Sequence, residues 1–98
     1  MKIGRKARGR RYDKQRRELI SEMQIFVEIA AALGEEQYGS VHAYAKAAGV
    51  SSTTLYDLLN GNVLLPRMMT LQLLASAVGL MLFQDDHGQL KVSLAPAA

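Results

Sequence analysis

Apolar residues between positions 19 and 33 recur at helical spacing. Leu19, Met23, Phe26, Val27, Ala30 and Leu33 follow one another at intervals of four, three, one, three and three, which is one face of an α-helix. The pattern predicts a helix that begins near Tyr12 or Asp13 and stops at Gly34. Ile25 and Ile29 fall outside this face, toward one edge, and Ser21, Gln24 and Glu28 form a polar strip. A helix this apolar is expected to touch its own core and something else as well.

Residues 35–39 read as a short polar loop. Ser40 is a candidate N-cap for a second helix over residues 41–48, since its hydroxyl can accept a free backbone N–H, and Gly49 closes that helix. Ser51 is the candidate cap of a third helix over residues 52–59, which Asn60-Gly61 ends because both residues tolerate positive φ. After a loop containing Pro66, a fourth helix is predicted at roughly 69–78, with Leu71, Leu74, Ala75 and Val78 at helical spacing and Gly79 as its stop. The period then changes to two. An apolar run over 80–83, a turn-like stretch over 84–89, and Leu90, Val92 and Leu94 alternating with Lys91 and Ser93 predict a β-hairpin. Pro96 and the last alanines read as a tail. The expected fold class is mainly α, a domain of four to five helices with a C-terminal β-hairpin and a flexible basic N-terminal arm. The expected division is an arm over 1–12, a domain over 13–79 and a hairpin element over 80–98.

Charge changes this picture. The net charge of +3 hides a lopsided distribution. Lys2, Arg5, Lys6, Arg8, Arg10, Arg11, Lys14, Arg16 and Arg17 face one acid, Asp13, so residues 1–17 carry +8, and the rest of the chain carries −5. Such a block reads as an interaction tail, with nucleic acid as the first candidate partner and an anionic membrane surface as the second. Residues 1–11 have few apolar side chains and are expected to be flexible without a partner. No cysteine occurs, which excludes disulfides and thiolate chemistry and fits a reducing cytoplasm. The region 19–33 is broken by Ser21, Glu22, Gln24 and Glu28, unlike a signal peptide or a membrane span.

The informative stretch is residues 40–62, SVHAYAKAAGVSSTTLYDLLNGN. Two short helices joined by a tight glycine-containing turn make a helix-turn-helix unit. Ala45 is small where two helices would cross, Gly49 permits a turn that a Cβ would penalise, and Val50 and Leu55 would plug the angle between the helices, with Leu58 and Leu59 anchoring later turns. Ser52, Thr53, Tyr56 and Asp57 are left facing outward, the face a recognition helix offers to the major groove. For Tyr44 core packing is favoured, and for Tyr56 the outward face.

The segment resembles the phage repressor/Cro family of helix-turn-helix proteins, through AYAKAAGVSSTTLYDLLNG and then PRMMTLQLLASAVGL, over roughly residues 27–82. The resemblance implies a cytoplasmic, sequence-specific double-stranded-DNA-binding regulator, a homodimeric repressor on an inverted repeat, and not an enzyme. It implies backbone contacts from Ser40, Lys46, Ser51, Thr54, Asn60, Asn62 and Arg67, with the basic arm on phosphates or in a minor groove. Three departures stand out. Val41 occupies a position where the family often has a phosphate-binding Gln, Leu59 precedes Asn-Gly where the family often has Glu, and the third helix holds no cation and one acid, Asp57. The common bidentate contact to guanine is therefore closed to it. The strand after VGL also resembles the addiction-module antitoxin subgroup, which implies a toxin protein as the alternative partner. A lone hairpin is marginal in water, so it must pack on a helix or pair with a second chain. Ile25, Ile29, Leu82, Leu90, Val92 and Leu94 are the candidate dimerisation residues. No cofactor or metal is expected: His42 and His87 are far apart, Asp85-Asp86-His87 reads as a turn, and Met68, Met69 and Met81 read as filler.

Overall fold

In a computed structural model, the backbone is described for residues 2–63 and 65–95, and within these the side chains of residue 14 and of residues 16 onward. Four helices precede a two-stranded antiparallel hairpin: α1 (Lys2–Tyr38), α2 (Val41–Ala48), α3 (Ser52–Leu59), α4 (Met68–Ala77), β1 (Leu80–Gln84) and β2 (Leu90–Leu94). The coarse architecture is the one the hydrophobic pattern predicts, and α1 is where the two part company.

Both ends of α1 differ from expectation. It begins at Lys2, about ten residues before the predicted start, so the segment read as a flexible arm forms its first turns. Lys and Arg are straight-chain residues that lose little rotamer freedom in a helix, and they outnumber Gly4 and Gly9 there. At the other end α1 runs through Gly34 to Tyr38 and stops at Gly39, where φ is +94°. Gly34 is a packing residue: a Cβ there would collide with the ring of Tyr44. Periodicity registers a glycine and is blind to the aromatic ring that requires it. Leu33, assigned to the core by spacing, is 42% exposed. It joins Ile25 and Ile29, at 55% and 53%, in an outer stripe at four-residue intervals.

The core is assembled from α1 (Met23, Phe26, Val27, Ala30), α2 (Tyr44, Ala45), α3 (Leu55, Leu58), α4 (Leu71, Leu74, Ala75) and Leu82 of β1. Each fully buried leucine contributes on the order of 1.5–3 kcal/mol. Tyr44 is fully buried and its hydroxyl donates to the Leu74 carbonyl at 2.6 Å. Tyr38, stacked on it with centroids 6.0 Å apart, donates likewise to the Ala77 carbonyl at 2.6 Å. Burial pushes the Tyr44 phenol far above its ordinary range, and the neighbouring Tyr38 adds to the shift, so it stays a donor. Two phenols thus occupy carbonyls in the last turn of α4, which a helix end leaves without intrahelical partners.

The hairpin pairs Leu80 with Leu94, Leu82 with Val92 and Gln84 with Leu90. Its turn is built on Asp85, whose Oδ1 accepts the N–H groups of His87 and Gln89, both at 2.9 Å. These bonds, the one from Gln89 first and with Lys91 adding its charge, hold the exposed Asp85 carboxyl below its usual range. The hairpin packs on its own domain. Leu82 is 3% exposed, Leu80 and Leu90 pack against the core, and Gln72 Nε2 of α4 donates to the Leu82 carbonyl at 3.3 Å. Leu82 is therefore withdrawn from any surface contact, a correction to its place among the dimerisation residues. Val92 and Leu94 remain exposed at 47% and 81%.

Candidate nucleic-acid interface

The stretch over residues 40–62 folds as two eight-residue helices joined by Gly49, Val50 and Ser51. Each junction is closed by specific bonds. Ser40 adopts an extended conformation and its Oγ accepts the Ala43 N–H at 3.0 Å. At the other end of α2, the Gly49 N–H reaches the Lys46 carbonyl at 3.2 Å and the Val50 N–H reaches the Ala45 carbonyl at 2.9 Å, with Gly49 at φ +78°. This double closure needs a left-handed residue at its centre, which glycine supplies without strain. Val50 then points inward and is buried, so the chain leaves the turn in a fixed direction.

Ser51 caps α3, accepting the Thr54 N–H at 3.1 Å and donating its hydroxyl to Thr54 Oγ1 at 2.7 Å. Its proton is thereby committed, whereas the Thr54 hydroxyl keeps its own proton to donate. Ser51 is thus a helix-capping residue first, a role its spacing to Thr54 encodes. The far end of α3 repeats the closure seen after α2: Gly61 N–H bonds the Leu58 carbonyl at 3.2 Å and Asn62 N–H the Asp57 carbonyl at 2.9 Å. Gly61 carries positive φ there. Asn60 stays right-handed at φ −84°, so of the two residues that tolerate positive φ only Gly61 uses it.

Leu55 and Leu58 are buried, Leu59 is half-buried, and the opposite side of α3 faces outward. Thr53 and Tyr56 are exposed, the latter at 47%, and Ser52, Thr54 and Asp57 are half-buried beside them. The spacings 52/56 and 53/57 put these side chains on neighbouring rows. Lys46 on α2 and Asn60, Asn62 and Arg67 beyond α3 are exposed. Arg67 is the N-cap residue of α4 and makes no side-chain cap bond. Tyr44 is in the core and Tyr56 at the surface, as their spacing predicts. Of the basic residues, Lys14, Arg16 and Arg17 are exposed on α1, and the side chains of Lys2, Arg5, Lys6, Arg8, Arg10 and Arg11 lie outside the described residues.

Sequence reasoning missed one positioning residue. Gln24, assigned to a polar strip, is half-buried and its Nε2 donates to the Leu59 carbonyl at 3.1 Å. It ties the last turn of α3 to α1. A lone amide between Met23 and Ile25 is the signal that could have marked it. A cleft of about 580 Å³ between α1, Leu65 and the hairpin turn, lined by Arg16, Leu19, Glu22 and His87, contains none of the outward residues of α3. Among the described residues, no helix is long and apolar enough to cross a membrane, and no three His, Cys, Asp or Glu side chains converge as metal ligands would. Compared with protein-family models, curated proteins and solved structures, the chain matches none.

Proposed function

We propose that this chain is a sequence-specific double-stranded-DNA-binding regulator of the phage repressor/Cro-like helix-turn-helix kind, acting as a dimeric repressor on an inverted repeat. The observation that carries the reading is α3 itself: a short helix fixed by caps at both ends, with Leu55 and Leu58 inward and Thr53 and Tyr56 outward. A helix with its side chains is about 10–12 Å across, which fits a major groove about 12 Å wide. Ser52, Thr53, Tyr56 and Asp57 read base edges. Hydroxyls donate or accept there, the Thr53 methyl packs on a thymine methyl, and Asp57 accepts from a cytosine amino group. Lys46, Arg67, Asn60, Asn62, Thr54 and Ser40 contact the backbone, and the basic residues of α1 supply phosphate charge that α3 lacks.

The test is selection from random duplex DNA by the wild type and by a folded Ser52→Ala, Thr53→Ala, Tyr56→Ala variant. The wild type should return a palindromic motif with half-sites about one helical turn apart, and the variant a relaxed one. The same motif from both would overturn the assignment of α3.

A second reading, an antitoxin that neutralises a toxin protein and represses its own operon, is favoured by apolar surface away from α3: Met69, Leu73, Met81 and Phe83 are 73%, 42%, 45% and 40% exposed. Co-expression with the product of an adjoining reading frame would test it, through relief of growth arrest that Phe83→Glu abolishes.

A further inference from the structure

We infer that α1 is the contact between two copies of this chain, packed antiparallel with the crossing at Ile25 of its outer apolar stripe. The inference deepens the two-fold reading above and is independent of the DNA. Ile25, Ile29 and Leu33 recur every four residues and are between 42% and 55% exposed, on the side of α1 away from the buried Met23, Val27 and Ala30. An unpartnered stripe of this kind asks for a cover, and the charge of the same helix says which one. Residues 2–17 hold nine cations and one acid, and residues 18–38 hold Glu18, Glu22, Glu28, Glu35 and Glu36 with no cation. The helix is basic in its first half and acidic in its second, with the apolar stripe beginning near the middle.

A helix so divided complements a reversed copy of itself. A parallel pair would set cation on cation and acid on acid. An antiparallel pair crossing near Ile25 sets residues 12–17 of each copy, with Lys14, Arg16 and Arg17 against the single acid Asp13, over residues 33–38 of the other, with Glu35 and Glu36. Lys14 and Glu36 are both exposed and each lies eleven residues from Ile25, so each falls level with the other across the two-fold axis. Ile29 then falls level with Ser21 of the second copy, a small exposed residue that permits close approach. The rival surface is the outer edge of β2. The ladder bonds at Gly79–Ala95 and Asp85–Gln89 turn the backbone groups of Leu90, Val92 and Leu94 toward that edge. Leu90 there bonds Glu22 of its own chain at 3.4 Å, and the edge has no charge asymmetry to select a copy of itself.

Sedimentation of the full chain at tens of micromolar, without DNA, is the first test. The wild type should sediment as a dimer, Ile29→Glu as a monomer with unchanged circular dichroism, and Val92→Asp as a dimer. A Glu35→Lys, Glu36→Lys variant should self-associate at least tenfold more weakly at low salt, where exposed charges are least screened. The absence of cysteine allows a direct reading of direction. Under oxidation, Lys14→Cys mixed with Glu36→Cys should give a cross-linked heterodimer, and neither variant alone should cross-link. Monomeric wild type, or a dimer that Val92→Asp dissociates and Ile29→Glu does not, overturns the proposal; cross-links in each variant alone would overturn the direction. Duplex binding by the Ile29→Glu monomer, measured separately by gel shift, reports on the DNA reading and leaves these outcomes untouched.

Discussion

The outer face of α3 and the first half of α1 are opposites. One carries hydroxyls, a phenol and a carboxylate on a helix bonded at both ends, with no cation. The other carries nine cations and one acid on a helix whose first side chain packed against the core, among the described residues, is Leu19. A base edge is recognised by donors and acceptors held in register, and a phosphate by charge that needs little register. In the function proposed for this chain, these tasks fall to two different helices. The lesson is that selectivity and affinity should be separable by mutation to an unusual degree.

Deletion of residues 2–11 should have the largest effect. It removes Lys2, Arg5, Lys6, Arg8, Arg10 and Arg11, and if each neutralises a phosphate the slope of log K against log salt falls by about 5 and affinity for every duplex drops about 100-fold or more. Gel shifts at several salt concentrations check this, and an unaltered slope would mean that these residues do not lie on DNA. The complementary break is Gly34→Ala, which disturbs the seat of α2 and hence α3 without touching a cation. The added Cβ meets the Tyr44 ring, and the strain should outweigh the gain in helix propensity of about 1 kcal/mol, leaving a net loss of about 1–3 kcal/mol in denaturant unfolding. Specific binding should weaken more than non-specific binding.

Alkaline pH should loosen the same seat. The Tyr44 phenol is raised by burial, so the unfolded chain loses its proton at lower pH than the folded one. The stability this group provides is full below about pH 10 and declines as pH rises beyond it, by up to about 1.4 kcal/mol per unit. Tyr44→Phe should remove that alkaline limb while costing about 1–3 kcal/mol at neutral pH, because the Leu74 carbonyl is left unpaired. Gln24→Ala should have the smallest effect, about 0.5–1.5 kcal/mol. It frees the Leu59 carbonyl and lets α3 fray at its last turn, read as faster amide exchange at Asn60 and Gly61 with the salt slope unchanged.

Much of this was legible in the sequence. The second, third and fourth helices and the hairpin follow from period, caps and glycine stops, because each signal acts within a few residues. The outward set Thr53 and Tyr56, and the inward set Leu55 and Leu58, follow from the same period. What was not legible needed a distant partner. Gly34 is read correctly only once Tyr44 is known to lie against it. Gln24 is a polar surface residue until Leu59 of α3 meets it. Leu33 satisfies the core spacing and still faces outward, because Ala30, Ala31 and Gly34 take the buried side of α1 at that level. Ser51 was correctly read as a cap, and the engagement of its hydroxyl proton with Thr54 came from side-chain geometry.

The two phenols on the last turn of α4 have a consequence for how the molecule opens. Tyr38 ends α1, Tyr44 lies in α2, and the turn they hold, at Leu74 and Ala77, leads through Gly79 into β1. Fraying of α4 from its C-terminus must release both, so the end of α1, α2, α4 and the base of the hairpin should open as one cooperative unit. Under tension applied through the hairpin, that unit should yield in a single step, before α3 is pulled from its caps. Amides in α2 and in the second half of α4 should then exchange with deuterium at a common rate, slower than those at the hairpin tip around Gly88.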